Sequence, residues 1–272
     1  MGSRTDFPGI LWPMNDGLPV WILGAAVLCL AGCSHRQLAV SDLQRVQRPA
    51  VISWIAEGAG PQSRVFREDS TFQSKLKRLD AREADRRLQV KLAKAISRFE
   101  TSDRLRAVAL ANLPKERPWT QAIDPARVAS ALESFLVEEV PANPPDYELL
   151  KPLGADAVVE FVIEDYGLRS AGGKASVYAS GYGRMFMLGG SELWRQSFRA
   201  ADPSRPALDP FKVAEDPELF RSELAVVLDS VAEEFSRALN PESRPNIRQI
   251  QREGLPTQPT PLPPPGAKDE IR

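Results

Sequence analysis

Two glutamates in one short segment are the residues best placed for acid–base chemistry in this chain. Glu160 and Glu164 lie in the segment AVVEFVIED, where apolar residues occupy alternate positions. This alternation is typical of a half-buried strand, and it puts both carboxylates on one face, roughly 13–14 Å apart between Cα atoms. Carboxylate pairs that hydrolyse glycosides are about 5–9.5 Å apart. We therefore expect these glutamates to lie on a solvated sheet face, where Arg184 is a suitable ion-pair partner.

Other catalytic groups are scarce. The chain contains one histidine, His35. Histidine is the commonest general base beside a nucleophile, and with cysteine it supplies most ligands for zinc, copper and iron. The glycines between 181 and 190 precede no Gly-Lys-Ser/Thr sequence, so they do not form a phosphate-binding loop. We predict no metal, no cofactor and no enzymatic activity, and the enzymatic alternative is a carboxylate-dependent hydrolase of cell-wall or lipid material.

Charge and cysteine content argue against a nucleic-acid partner and against a disulfide. The chain has 35 lysines and arginines against 36 aspartates and glutamates. Nucleic-acid-binding proteins usually carry a basic excess gathered into a patch, so no nucleic-acid partner is expected. The two cysteines, Cys29 and Cys33, both lie in or beside the N-terminal apolar segment, so the rest of the chain contains no disulfide.

An apolar run from residue 18 ends at a cysteine. The residues Leu30, Ala31, Gly32 and Cys33 resemble the lipobox of bacterial lipoprotein precursors. The resemblance implies cleavage before Cys33, a diacylglycerol on its sulfur, and an acyl chain such as palmitate on its new amino group. It also implies a membrane-anchored protein of the cell envelope. Ser34 favours the outer membrane, facing the periplasm, with the inner membrane as the alternative.

An uncleaved transmembrane anchor is the other interpretation of this segment. The stretch between Asp16 and His35 has 18 residues, near the lower limit of about 17 for a spanning helix. The first 17 residues carry Arg4 against two aspartates, whereas a secretory signal usually begins with a basic region. We predict a signal peptide at 1–32, a tether at 33–50, a single α/β domain at 51–240, and a proline-rich disordered tail at 241–272.

Apolar periodicity and turn residues divide the domain into strands and helices. Asp124 and Pro125 make a favourable helix start, with an aspartate N-cap and proline at the first helical position, and the apolar face continues to Val140. The predicted elements, in chain order, are a strand at 51–56, one or two amphipathic helices at 71–99, a strand at 104–110, a helix from 124 to 140, strands at 157–165, 176–188 and 192–198, and a helix at 217–239.

Three strands joined by glycine turns form the clearest folding signal. Gly172-Gly173 and Gly189-Gly190 separate the last three predicted strands, which makes an antiparallel meander. One face of the middle strand carries small and apolar residues from Val177 to Met187, and this face leaves room for the last predicted helix. We predict an α/β (α+β) fold with a mixed sheet that ends in this meander and with helices packed on it.

Two segments resemble a group of envelope lipoproteins. Leu153 to Val159, LGADAVV, followed by Tyr166-Gly167, is similar to the strand entry of that group, and RMFMLGGSELW at 184–194 is similar to its next hairpin. The group includes the curli-secretion lipoprotein, the penicillin-binding-protein activator lipoprotein and the TolB N-terminal domain. The resemblance implies a small α/β domain with a mixed sheet. Curli-type members form pores, but here the returning strand of about seven residues is shorter than the roughly 9–11 that span a membrane.

Aromatic and arginine side chains on the meander are the candidate binding residues. These types dominate the hot spots of protein interfaces. The candidates are Tyr178, Tyr182, Arg184, Phe186 and Trp194. The alternative is that they form a second buried sheet face. We expect a non-enzymatic binding, assembly or regulatory subunit of an envelope complex, with another envelope protein as partner; a component of an oligomeric export channel is the further alternative, and the oligomeric state stays open.

Overall fold

A mixed five-stranded sheet lies at the centre of the part of the chain that the computed structural model describes, which is residues 35–132, 145–201 and 206–241. The strands are β1 (Pro49–Ile55), β2 (Pro61–Ser63), β3 (Ala157–Ala171), β4 (Lys174–Met187) and β5 (Glu192–Ala200). Their order is β1-β3-β4-β5, with β2 also beside β3. The first two strands run parallel to β3, whereas β4 and β5 are antiparallel. The predicted α/β fold and its three-stranded meander are confirmed.

Helices cover the two faces of this sheet unequally. The helices are α1 (Val40–Leu43), α2 (Val65–Glu68), α3 (Ser70–Gln73), α4 (Ala81–Ala95), α5 (Arg98–Asn112), α6 (Pro125–Ala131), α7 (Pro210–Glu215) and α8 (Glu218–Ala238), with 3₁₀ helices at Trp119–Gln121 and Tyr147–Leu153. The long helices α4, α5 and α8 pack on one face and enclose the main core. On the second face, α6 and the 3₁₀ helix Tyr147–Leu153 enclose a smaller core near β1.

Small residues on β4 bring α8 close to the sheet, as the sequence predicts. Gly183 lies beneath Trp194 of β5 and Phe235 of α8. A Cβ atom at Gly183 would be 2.5 Å from Trp194 Cη2 and 3.2 Å from Phe235 Cε1. Both aromatic side chains are fully buried, so neither has free space into which it can move. Glycine at this position is therefore required for packing.

Substitution of this glycine tests the close approach of helix and sheet. We expect Gly183→Ala to lower the free energy of unfolding by about 1–3 kcal/mol, the usual cost of overpacking a filled core. The matched control is Gly60→Ala, because a Cβ atom at Gly60 meets no atom within 4 Å. Urea unfolding of the full chain measures both. Equal unfolding midpoints for Gly183→Ala and the parent would show that α8 does not pack tightly against β4 at Gly183.

A bulge extends β3 beyond its predicted end. The register shifts between Ile163 and Asp165, so that Glu164 has no partner on β4 and is exposed. After the bulge, Tyr166 and Leu168 return to the main core. The bulge interrupts the regular alternation at residue 164, and this is why the alternation indicated a strand that ends at 165.

The predicted strand at 104–110 is wrong, because these residues belong to α5. Ser97 and Glu100 form a capping box at the start of this helix, and each side chain accepts a hydrogen bond from the other residue's backbone N–H. Leu105 and Ala109, one helical turn apart, are fully buried. Residues four apart lie on one side of a helix, so a short apolar alternation fits both structures, and the cap determines the outcome.

The helical region predicted at 71–99 contains separate helices. Asp80 begins α4 by accepting hydrogen bonds from the backbone N–H groups of Arg82 and Glu83, at 2.9 and 3.4 Å. The chain then becomes extended at Ile96, and α5 follows. The helix start at Asp124 is confirmed, since its carboxylate accepts a hydrogen bond from Ala126 N at 2.8 Å. The remainder of that predicted helix, at 133–140, lies outside the described residues.

The described part of the predicted tether packs on the domain. Arg36 forms an antiparallel bridge with Arg195 of β5, and Leu38 and Val46 are buried in the main core. Pro49 already belongs to β1. Leu38 and Val46 flank α1, which is a single helical turn, so no apolar period over several turns marks this segment as part of the core. The predicted signal peptide, Cys33 and residues 242–272 of the predicted tail lie outside the described residues.

The LGAD segment, residues 153–156, lies directly before β3 and is hydrogen-bonded to the residues that precede β1. Gly154 adopts a left-handed conformation, with φ of 81°, and a Cβ atom there would be 2.6 Å from Arg48 Nη1. The carboxylate of Asp156 accepts hydrogen bonds from the backbone N–H groups of Gln47, at 2.7 Å, and Arg48, at 2.9 Å. The segment therefore aligns the beginning of β1 beside β3.

None of the helices in the described ranges is both long and apolar enough to cross a bilayer.

Candidate functional site

Beyond the smaller core, the second face of the sheet carries aromatic and arginine side chains. Tyr182, Arg184 and Phe186 alternate along β4 with core residues, and Arg195 of β5 lies directly opposite Arg184. All four side chains are partly exposed. We call these four residues the arginine–aromatic face. Its position follows from strand geometry, since alternate residues of β4 must point away from the helices on the first face.

Glu160 is the buried anchor of this face. It is fully buried on β3, directly opposite Arg184 in the register of the two strands. One carboxylate oxygen, Oε1, accepts hydrogen bonds from Trp54 Nε1, at 2.7 Å, and from the Tyr147 hydroxyl. The other, Oε2, accepts one from Arg184 Nε. A buried carboxylate is stable when it is paired and hydrogen-bonded, and three donors meet that requirement here.

Protonation states at this anchor follow from burial and charge. Burial raises the pKa of the Tyr147 hydroxyl far above its ordinary value, and the adjacent negative charge of Glu160 raises it further. Tyr147 therefore remains a neutral donor. Burial lowers the pKa of the Arg184 guanidinium, but the hydrogen bond and attraction to Glu160 outweigh it, so the net pKa is raised. Arg184 is thus a permanent cation held in one orientation.

Two aromatic rings support the Arg184 guanidinium. Its Cζ atom is 5.0 Å from the ring centroid of Phe186 and 5.9 Å from that of Tyr182. Phe186 in turn packs edge-on against Tyr147, with 5.1 Å between ring centroids. Arginine placed over aromatic faces is stabilised by cation–π attraction while its polar edges stay available. Arg184 is therefore preorganised, with 27% of its side chain exposed.

Arg195 is held much less completely. Its Cζ atom lies 4.4 Å from the Tyr182 ring centroid, and its Nη1 atom is 3.3 Å from Glu192 Oε2. Its Nε atom is buried and has no hydrogen-bond acceptor within the described ranges. Buried donors are normally paired, so Arg195 is the less completely bonded of the two arginines on this face.

Three of the five predicted binding residues lie together. Tyr182, Arg184 and Phe186 share the arginine–aromatic face, as the alternation along β4 predicts. Trp194 does not, and its inclusion in an exposed patch is wrong. It pairs with Met185, faces the main core and is fully buried against Phe235. The reason is register: on β5, Trp194 points toward α8, and the residue that points outward is Arg195.

Tyr178 belongs to a separate cluster farther along the same face. It is 5% exposed, and its hydroxyl donates a hydrogen bond to Asp165 Oδ1 at 3.0 Å. Arg64 pairs with the same carboxylate at 2.8 Å and, with Arg169, lies over the Tyr178 ring. Burial and the charge of Asp165 raise the pKa of the Tyr178 hydroxyl. This cluster joins β3, β4 and the segment after β2, so its role is structural.

Sequence reasoning missed the burial of Glu160 and the role of Arg195. The expected pairing of Glu160 with Arg184 is present, but the prediction of a solvated face is wrong at Glu160, because Trp54 and Tyr147 cover it. Trp54 and Tyr147 are 106 and 13 residues from Glu160 along the chain, so no local sequence pattern predicts these contacts. Alternation puts Trp194 and Arg195 on opposite faces of β5, so the choice of Trp194 as the exposed residue excluded Arg195 from the candidate face.

The described residues offer little for catalysis by carboxylates or metals. Glu160 is fully buried and already receives three hydrogen bonds, while Glu164 is exposed at the bulge. No group of three or more histidine, cysteine, aspartate or glutamate side chains suitable for a metal ion occurs in the described part of the chain. A cavity of about 620 Å³ beside α1, lined by residues that include Val46, Arg48, Trp119 and Asn240, shares no residue with the arginine–aromatic face.

Comparisons with known proteins leave the family open. No protein-family model and no curated protein matches the chain. Among solved structures, the hypothetical protein CT253 from Chlamydia trachomatis is 12% identical, with a TM-score of 0.30, over 72% of this chain and 98% of that one. Dodecameric PelC from Paraburkholderia phytofirmans is 16% identical, with a TM-score of 0.25, over 72% and 93% of the two chains. Likenesses of this degree support no argument about function.

Proposed function

We propose that this chain is a non-enzymatic lipoprotein of the cell envelope, anchored through Cys33, that binds another envelope protein through the arginine–aromatic face. One observation carries the binding role: a preorganised, partly exposed arginine between two aromatic rings, next to a second arginine. Tyrosine and arginine are enriched in the hot spots of protein interfaces. The fully buried carboxylate of Glu160 holds Arg184 in one orientation. This arrangement favours a role in recognition for Arg184 over a purely packing role.

The membrane anchor explains why a modest surface can suffice. The lipobox-like segment ends at Cys33, and Arg36, three residues later, is bridged to Arg195 of β5. Two or three acyl chains, each adding about 0.8 kcal/mol per buried methylene, hold a protein on a bilayer almost permanently. Confinement to one membrane surface raises the effective concentration of partners there. Ser34, directly after Cys33, favours the outer membrane, with the domain facing the periplasm.

Site-specific crosslinking in living cells tests this function. A photo-crosslinking amino acid replaces Ser197, which is exposed and lies opposite Tyr182, or Val90, which is exposed on α4 in the layer over the first face. We expect position 197 to capture one envelope protein that position 90 does not, and the yield to fall in Cys33→Ala. Identical products from both positions, or none from 197, would refute the binding role of this face.

A further inference from the structure

We propose that Arg195, together with Arg184 and Tyr182, forms a carboxylate-binding site for an acidic segment of a protein partner. The inference rests on the proposed binding function and specifies the chemistry of the partner. Its starting point is the incomplete bonding of Arg195: an arginine has five N–H donors, and within the described ranges Glu192 is the acceptor for one nitrogen of Arg195. The adjoining Nε atom has none.

Strand register places arginine side chains next to one another at this point. Arg184 lies directly opposite Arg195, and Arg195 is bridged on its other side by Arg36. Like charges directly opposite each other in a sheet are destabilising. Each arginine has one carboxylate partner: Glu160 pairs with Arg184, Glu192 lies 3.3 Å from Arg195 Nη1, and Asp42 lies 3.8 Å from Arg36 Nη2. The Arg195–Glu192 pair has a single contact and both side chains are partly exposed, so a carboxylate of a partner can compete with Glu192.

The geometry suits carboxylates on an extended chain. Both guanidinium groups lie within 6 Å of the same Tyr182 ring centroid, at 5.9 Å for Arg184 and 4.4 Å for Arg195. Side chains two residues apart on one strand face are separated by about 6.6–6.8 Å, so two alternate acidic residues can reach both groups. A small rotation of Arg195 away from the ring would present Nε and Nη2 together to one carboxylate, the bidentate arrangement that arginine favours.

An acidic protein segment fits this site better than a lipid surface. Membrane attraction by charge requires clusters of four or more basic residues on a freely exposed segment. Here the two arginines project from neighbouring strands of a sheet among partly exposed aromatic rings, and the neighbouring side chains include Glu192 and Ser197. Such a face can place a peptide in register and exclude water around the ion pairs, as interface hot spots do.

Titration calorimetry of the full chain tests the inference. The probes are a peptide of alternating glutamate and serine, a matched glutamine–serine peptide, and vesicles of phosphatidylglycerol. We expect the glutamate peptide to bind, the glutamine peptide not to bind, and Arg195→Gln to weaken binding at least tenfold. Arg199→Gln is the matched control, because it removes the same charge from an exposed position on β5. That control should change the affinity less than threefold.

The variants also separate recognition from folding. Arg195→Gln should melt close to the parent chain, because it removes the exposed pair with Glu192 and the contact with Tyr182 but also removes a like-charge neighbour of Arg184. Should it melt lower, Arg195→Lys keeps the charge without the planar fork, and at least a threefold loss of peptide affinity would still support bidentate recognition. Equal losses in Arg195→Gln and Arg199→Gln, or binding of the vesicles but not of the peptide, would overturn the proposal. If no peptide binds while position 197 still captures an envelope protein, this inference fails and the binding function stands.

Discussion

Replacement of Glu160 by alanine is expected to lower the free energy of unfolding by about 3–5 kcal/mol, the usual cost of breaking a buried ion pair from one side. The substitution leaves Arg184 without its counter-ion. It also leaves the Trp54 indole N–H and the Tyr147 hydroxyl, both donors to the same carboxylate, without an acceptor. A fully buried unsatisfied donor would add about 1–3 kcal/mol, but Trp54, Tyr147 and Arg184 are each partly exposed and can reach water, so the loss should fall in the lower part of the range.

Urea unfolding at neutral pH measures this effect. Glu164→Ala, which removes an exposed carboxylate from the same strand, is the control and should change the unfolding free energy by less than about 0.5 kcal/mol. The double variant Glu160→Ala/Arg184→Met should recover part of the loss, because it removes the orphaned cation as well. A loss below about 1 kcal/mol in Glu160→Ala would show that this carboxylate is not the anchor of the face.

Replacement of Phe235 by alanine should lower the free energy of unfolding by about 3–5 kcal/mol, the range for deleting a buried phenylalanine. Phe235 is fully buried where α8 meets the sheet. Its ring stacks on Phe161, with 5.1 Å between centroids and 7° between planes, and meets Trp194 and Phe198 edge-on, each at 5.5 Å. The substitution removes all three aromatic pairs and leaves a cavity above Gly183.

A phenylalanine on the surface provides the control for this effect. Phe99→Ala removes the same side chain from a position where 61% of it is exposed, and should cost much less than Phe235→Ala. Phe235→Leu retains most of the volume and should recover much of the loss. Comparable losses for Phe99→Ala and Phe235→Ala in urea unfolding would contradict the central place of Phe235 in the main core.

The two substitutions probe opposite sides of the sheet. Phe235 joins the helices to the first face, whereas Glu160 organises the second face, on which Arg184 and Arg195 are presented. The helical layer stabilises β4 and β5, and the position of those strands fixes the spacing of the two arginines. We therefore expect Glu160→Ala to reduce crosslinking from position 197 even at temperatures where the domain remains folded, because Arg184 loses its fixed orientation.

Local patterns in the sequence were sufficient for most of the elements and for the fold class. Alternation of apolar residues, the glycine pairs at 172–173 and 189–190, and the periodicity before residue 239 identified the meander and the helix that covers it. Each of these signals arises within one element or between chain neighbours. The strand predicted at 104–110 was wrong for the same reason. The apolar spacing of its seven residues fits both a strand and a helix, and the helix cap at Ser97 lies outside them.

The sequence by itself determined the lipobox-like segment, the order of the last three strands and which residues of β4 share a face. Tertiary structure alone decided that Trp54 and Tyr147 cover Glu160, that Trp194 faces the core, and that Arg195 stands opposite Arg184. The physical reason is distance along the chain. Alternation within a strand depends on the geometry of neighbouring residues, whereas the burial of one carboxylate depends on donors from segments about 13 and 106 residues away, and only the folded chain brings these together.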